Sequence, residues 1–177
     1  MYNNIAIQQP IIINNKIVYN QREYPFYLER ISLIKNQEDL NQSFLDVGCQ
    51  AGLDCFHLKE FGVKNITGID INKDYIDFAK NNYHGITFIN NDISNIKQHY
   101  DVILFLNYFC YKENVKYIYG LEGLDYNTIY IDLAPQIEYI DKFKRIYKQR
   151  EILNKIKIDY NYEIIKGDLV DLIKITK

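Results

Sequence analysis

The segment Phe44-Leu45-Asp46-Val47-Gly48-Cys49-Gln50-Ala51-Gly52 holds residue types suited to gripping a nucleotide-like ligand. An apolar run ends in a glycine-bearing turn that opens directly into a helix-like stretch. Glycines there let the backbone approach a ligand closely, and the free N–H groups of a helix start favour an anion. Asp46, on the apolar run, can accept from a ligand ammonium across the turn. Asp70 closes a second apolar run, Ile66-Thr67-Gly68-Ile69, 24 positions beyond Asp46, which suits one strand–helix–strand unit. A carboxylate at such a strand tip can bind both hydroxyls of a ribose, and Ile71 beside it can cover one face of an adenine. Asp92, in Asn90-Asn91-Asp92-Ile93-Ser94, admits two compatible readings. It can accept from an adenine amino group with Ile93 packed nearby, or it can cap the turn that follows, since Asp is a preferred N-cap.

These residues fall at the ends of a regular alternation that must hold them. Strand-like runs occur at 43–48, 65–70, 86–90, 100–106 and 127–133, with helix-like stretches at 52–61, 73–83, 111–122 and 136–150 and a short connection at 93–98. The first, fourth and fifth runs are almost continuously apolar, as strands covered by helices on both faces are. Such alternation implies right-handed crossovers and a doubly wound, mostly parallel α/β sheet. The rhythm breaks at the end. Runs at 160–165 and 169–177 are separated only by Lys166-Gly167-Asp168, too few residues for a crossover helix, so this C-terminal pair must be antiparallel. The expected sheet therefore has seven strands. Ahead of it, residues 1–42 form an extension: a hairpin within 5–20 turning at Asn14-Asn15, then a helix over Glu23–Lys35 with Pro25 in its first turn. Residues 43–177 form the ligand-binding unit.

The chain of 177 residues is 47% hydrophobic and 25% charged, the composition of a soluble globular protein. Its net charge of −2, with scattered basic residues, disfavours a cationic nucleic-acid module. The three cysteines include no CxxC pair, and no two histidines have metal-ligand spacing, so neither a disulfide framework nor a metal centre is expected. No apolar stretch reaches the ~18 residues of a membrane span. Without a signal-like start, a reduced cytoplasmic setting fits. Seventeen tyrosines, no tryptophan and abundant Ile, Asn and Lys reflect A/T-rich codons, as in giant viruses or AT-rich parasites. That bias dilutes any argument from tyrosine abundance.

The region from about 43 to 135, extended by the closing antiparallel pair, resembles the class I S-adenosylmethionine-dependent methyltransferases. Their first-strand motif is an acidic residue followed by Gly-x-Gly-x-Gly. Gly48 and Gly52 match, and Gln50 stands at the middle glycine. The resemblance implies S-adenosylmethionine as cofactor, held by Asp46, Gly48, Cys49, Gln50 and Gly52 at the first strand. Asp70 and Ile71 would serve the ribose and adenine, and Asp92 and Ile93 the adenine. Leu106, Asn107 and Tyr108 would lie beside the transferable methyl group. In this fold an N-terminal helix often covers the cofactor cleft. There Arg22 or Arg30 could bind the methionine carboxylate or an acidic substrate group, or simply form helix salt bridges with Glu23 or Glu29, and Tyr19, Tyr24 and Tyr27 could line the cleft.

A nicotinamide dinucleotide, as in a redox protein, would need glycines at 48, 50 and 53, of which only Gly48 is present. The acceptor is unspecified, with a small molecule slightly favoured. The Asn/Asp-Pro-Pro-Tyr/Phe signature of base amino-methylation is missing after the fourth strand, and Cys110 lacks the proline of a pyrimidine C5 nucleophile, so it reads as a small buried hydrophobe. Gln50 raises one further alternative, a catalytically silent cofactor-binding or partner-activating subunit.

Overall fold

The computed structural model describes residues 11–13, 16–19, 24–109, 112–133 and 154–177. Strands β1 (Ile11–Ile13) and β2 (Lys16–Tyr19) form a small antiparallel ribbon, the hairpin expected there. Helix α1 (Tyr24–Lys35) follows. The main sheet comprises β3 (Ser43–Val47), β4 (Asn65–Asp70), β5 (Thr87–Asn90), β6 (Tyr100–Phe105), β7 (Tyr126–Leu133), β8 (Asn161–Ile165) and β9 (Asp171–Thr176). Its order is β5-β4-β3-β6-β7-β9-β8. The first five strands are parallel, and β9 runs antiparallel to both β7 and β8. The short 166–170 connection has the consequence read from it. Strand order reverses between β3 and β6, which opens a crevice at their carboxyl ends.

Pleat alternation sorts the core into two layers. Phe44, Val102, Leu104 and Leu172 face α1 and α2 (Leu53–Glu60), packing with Ile31, Ile34 and Leu58. Their neighbours Leu45, Ile103, Phe105 and Ile173 face the other side, where Ile118, Leu121 and Ile156 of the short helix at 154–159 cover them. Helix α3 (Lys73–Asn82) connects β4 to β5, capped by Asn72, whose side chain accepts from the Asp74 N–H. The expected helix over 111–122 is instead a run of 3₁₀ turns over Lys112–Gly123. Gly120, Gly123 and the β-branched residues favour helix weakly. At three residues per turn, Asn114 and Tyr117 share one face while Ile118 and Leu121 are both buried on another. The expected helix over 136–150 lies outside the described residues, as do Arg22, Cys110 and the Asn14-Asn15 turn. Among the described residues no helix is long and apolar enough to cross a membrane, and no group of three or more His, Cys, Asp or Glu could hold a metal ion.

Glu29 on α1 fastens this helix to the far end of the sheet. Its carboxylate accepts from the N–H groups of Asp168, Leu169 and Val170 at 2.8–2.9 Å. Gly52, the N-cap of α2, sits at φ +86°, and a Cβ there would lie 2.8 Å from Phe88 Cζ and 3.1 Å from Ala79 Cβ. Gly52→Ala therefore combines a left-handed backbone with overpacking. It is expected to cost about 2–4 kcal/mol, read as a lower urea midpoint at unchanged m-value. A loss below ~0.5 kcal/mol would contradict this account.

Candidate active site

The crevice at the carboxyl ends of β3, β4 and β6 contains a cavity of about 340 Å³. On its β4 side, the Asp70 carboxylate is fixed by two backbone donors. Gln50 N–H donates to Oδ2 at 3.0 Å and Asn72 N–H to Oδ1 at 2.8 Å. An ionised carboxylate has about four acceptor sites, so each oxygen keeps capacity for a ligand hydroxyl. Burial raises the Asp70 pKa above the usual carboxylate range, and the Asn72 and Gln50 N–H groups counter this in part. The main chain around Asp70 is pinned as well, its carbonyl accepting from Asn91 N–H at 3.1 Å and Asn90 Nδ2 at 2.9 Å.

On the β5 side stands Asp92. Its Oδ1 accepts from Ser94 N–H at 2.8 Å and its Oδ2 from the Tyr117 hydroxyl at 3.1 Å. Burial works against the charge, but the Ser94 and Tyr117 bonds outweigh it, and the pKa is lowered. The capping reading of Asp92 is thus realised, and the residue still lines the cavity.

The β3 turn and the end of β6 close the remaining side. Gly48 has φ +73°, and a Cβ there would lie 2.8 Å from Tyr108 Cδ2, so the aromatic ring rests directly over the glycine. Burial raises the Tyr108 phenol well above its usual value, which keeps it protonated. Asn107 adopts φ +55°, held there by its own N–H, which donates to Asp132 Oδ1 at 2.7 Å. Asp132 Oδ2 accepts from Arg30 Nη1 at 3.0 Å. Arg30 also grips both oxygens of Asp54 through Nε and Nη2, and its guanidinium lies 4.2 Å from the Tyr27 ring centroid. The Asn107 amide satisfies its neighbours when its NH₂ faces Asp132 Oδ2 and its oxygen faces the Tyr27 hydroxyl and Arg30 Nη1.

A methyltransferase-domain family model matches residues 38–166, well over half of the chain. The chain belongs to the class I S-adenosylmethionine-dependent methyltransferases. Solved structures agree in fold. The plantazolicin methyltransferase BpumL, in complex with a monoazolic desmethylPZN analog and SAH, is 19% identical at a TM-score of 0.63, covering 88% of this chain and 86% of its own. The magnesium protoporphyrin IX methyltransferase ChlM from Synechocystis PCC 6803, with bound SAM, is 18% identical at 0.60, covering 92% and 85%. A Thermoplasma acidophilum protein is 17% identical at 0.66, covering 89% and 91%. No protein of curated function matches the sequence.

Within this methyltransferase the cavity gathers Gly48, Gln50, Asp70, Ile71, Asp92, Ile93, Leu106, Asn107 and Tyr108 of the residues read from sequence. Asp46, Cys49 and Gly52 lie behind the turn, each almost fully buried and away from the cavity wall. Asp46 accepts from the Cys55 thiol at 3.3 Å. Burial, reinforced by Asp54, pushes its pKa up to about 8. Arg30 is wholly buried in its two ion pairs, so it offers nothing to a carboxylate in the cleft. Tyr27 contacts Asn107 rather than the cavity, and the side chains of Tyr19 and Tyr24 lie outside the described residues. Val47, Ile69, Asn72, Tyr75, Asn91, Asn114 and Tyr117 complete the wall. Sequence reading missed them, although Asn72 carried a visible signal as the polar residue directly before α3.

Proposed function

We propose that this methyltransferase binds S-adenosylmethionine along the strand ends, with ribose on Asp70, adenine beside Asp92 and Ile93, and the methionine end between the β3 turn and Leu106–Tyr108. In this reading the methyl is passed to a small-molecule acceptor. The observation that carries it is the Asp70 carboxylate, oriented by two backbone N–H groups at the edge of a preformed cavity with acceptor capacity to spare. A ribose diol fits that donor set, and the exposed Ile71 and buried Ile93 offer apolar surface on the adenine side. The cofactor supplies a sulfonium methyl for in-line displacement by a nucleophile, a reaction governed by approach and alignment.

The chain's own residues serve orientation. Ordering of Asn107 through Asp132 and packing of Tyr108 over Gly48 define the wall on the methyl side. The residues there (Asn107, Tyr108, Asn114 and Tyr117) are uncharged at neutral pH, and Tyr108 holds its proton too firmly to act as a base. Such a wall suits an acceptor that arrives with a competent nucleophile, because a base is needed only where a proton must leave first. The neutral wall and near-zero net charge favour a small acceptor over a nucleic-acid backbone. Two structural relatives, named as methyltransferases of plantazolicin and of magnesium protoporphyrin IX, are in keeping with that class. Calorimetric titration with S-adenosylmethionine and S-adenosylhomocysteine should give saturable heat with both. Transfer of labelled methyl should then appear in the small-molecule fraction of a cell extract. No heat with either ligand overturns the cofactor reading; label confined to nucleic acid or protein overturns the acceptor class.

A further inference from the structure

Gln50 occupies the turn position where the family pattern has glycine, and it keeps a glycine-like backbone at φ +48°. Side-chain-bearing residues seldom adopt that region. The side chain lines the cavity, and its Oε1 is shut off from solvent without receiving a hydrogen bond from the protein. A buried acceptor left without a donor is unfavourable. A glycine would remove both costs at once, so the pair of them marks a group shaped for a ligand rather than for the fold. The ligand's needs point the same way. An ammonium has three donors and requires acceptors around it. At the β3 end the cavity is lined by Val47, Gly48 and Gln50, while Asp46 lies behind the turn and is engaged by Cys55. The Gln50 N–H is already donated to Asp70 on the ribose side, which leaves the side-chain oxygen as the turn's side-chain acceptor for the amino-acid end.

We infer that the Gln50 amide turns its Oε1 from this shielded position into the cavity the residue lines and accepts a hydrogen bond from the α-ammonium of the methionine end of S-adenosylmethionine, serving as the side-chain acceptor in place of Asp46, which is engaged by Cys55 and absent from the cavity wall. This rests on the cofactor reading above. Gln50 is then a specificity element for the amino-acid part of the cofactor and not a defect in the motif.

The test compares wild type, Gln50→Gly and Gln50→Met. It uses thermal melts without ligand and calorimetric titrations with S-adenosylmethionine and 5′-methylthioadenosine, which keeps adenine and ribose but lacks the amino-acid part. Gln50→Gly should melt about 2–4 °C higher than wild type without ligand, yet bind S-adenosylmethionine about 10-fold more weakly. Gln50→Met, which keeps the bulk and loses the acceptor, should show the same weakening. Affinity for 5′-methylthioadenosine should stay within about twofold in both variants, given that a lost ammonium contact does not touch the nucleoside. S-adenosylmethionine affinity equal to or above wild type in Gln50→Gly overturns the assignment, as does a matching loss for 5′-methylthioadenosine. Wild type silent toward S-adenosylmethionine and S-adenosylhomocysteine alike overturns the cofactor reading itself, and this inference with it.

Discussion

Asp70→Ala is expected to weaken S-adenosylmethionine binding by about 100-fold or more. Two hydrogen bonds from ribose hydroxyls to one carboxylate are charge-assisted, worth about 1.5–3 kcal/mol each, and a loss of ~3 kcal/mol is already more than 100-fold in Kd. The side chain also orders the site before any ligand arrives, because the N–H groups of Gln50 and Asn72 both end on it. Asp70→Asn is the informative control. An amide offers one acceptor oxygen and turns an NH₂ toward a backbone donor, so it should recover only part of the affinity. Titration calorimetry measures both variants, with the melting temperature of the ligand-free protein reporting any collapse of the turn. Retention of binding within about threefold in Asp70→Ala would remove the ribose from this strand end.

The same carboxylate predicts opposite pH trends for ligand binding and for stability. Burial raises the Asp70 pKa in the folded protein, so the folded chain holds this proton more tightly than the unfolded chain does. By linkage, this group's contribution to stability is greatest below its unfolded pKa and falls as pH rises through the raised folded value. Ribose binding needs the ionised form and runs the other way. Affinity should therefore decline on acidification earlier than an ordinary carboxylate would dictate, and the decline should vanish in Asp70→Asn.

What could be read from sequence was what the chain keeps local. Gly48, Asp70 and the β3–α2–β4 unit share one stretch of chain, and the antiparallel ending was forced by a connection too short for a helix. Asp46 shows where local reading stops. Placed between Leu45 and Val47, which face one layer, it turns by strand parity toward Cys55 and the α1–α2 layer instead of the cavity. Arg30 and Asp132 stand 102 positions apart, and Glu29 reaches a turn 139 to 141 positions away. No spacing rule connects such pairs. Tyr75 and Tyr117, both in the cavity wall, were hidden by composition, since seventeen tyrosines leave no individual one conspicuous.

Arg30→Met should be the most damaging single change to the fold, costing about 3–5 kcal/mol out of the roughly 5–15 kcal/mol that stabilises a domain. Methionine replaces much of the buried volume but none of the charge. Asp54 and Asp132, whose side chains are 2% and 4% exposed, would be left as buried carboxylates without their cation. Arg30 itself is held charged: burial disfavours the cation, and Asp54 and Asp132 together more than reverse that. The variant should melt about 10 °C or more below wild type, and its deficit should shrink on acidification as the stranded Asp132 carboxyl, whose pKa burial raises, takes up a proton. Adding Asp54→Asn should restore part of the loss, with a coupling of about 1–3 kcal/mol between the two sites. Asp46→Asn offers the contrast. Because burial raises the Asp46 carboxyl to about 8 in the folded chain, wild type loses stability as pH rises from the unfolded pKa towards 8, so the amide's advantage over wild type should grow across that range and level off above it. The damage from Arg30→Met should also reach the cleft, since Asp132 holds the Asn107 N–H in its left-handed turn. At temperatures where the variant is still folded, methyl transfer should fall more than S-adenosylmethionine affinity. A cost below ~1 kcal/mol, or an equal cost at acidic and neutral pH, would show that the guanidinium is not what neutralises this cluster.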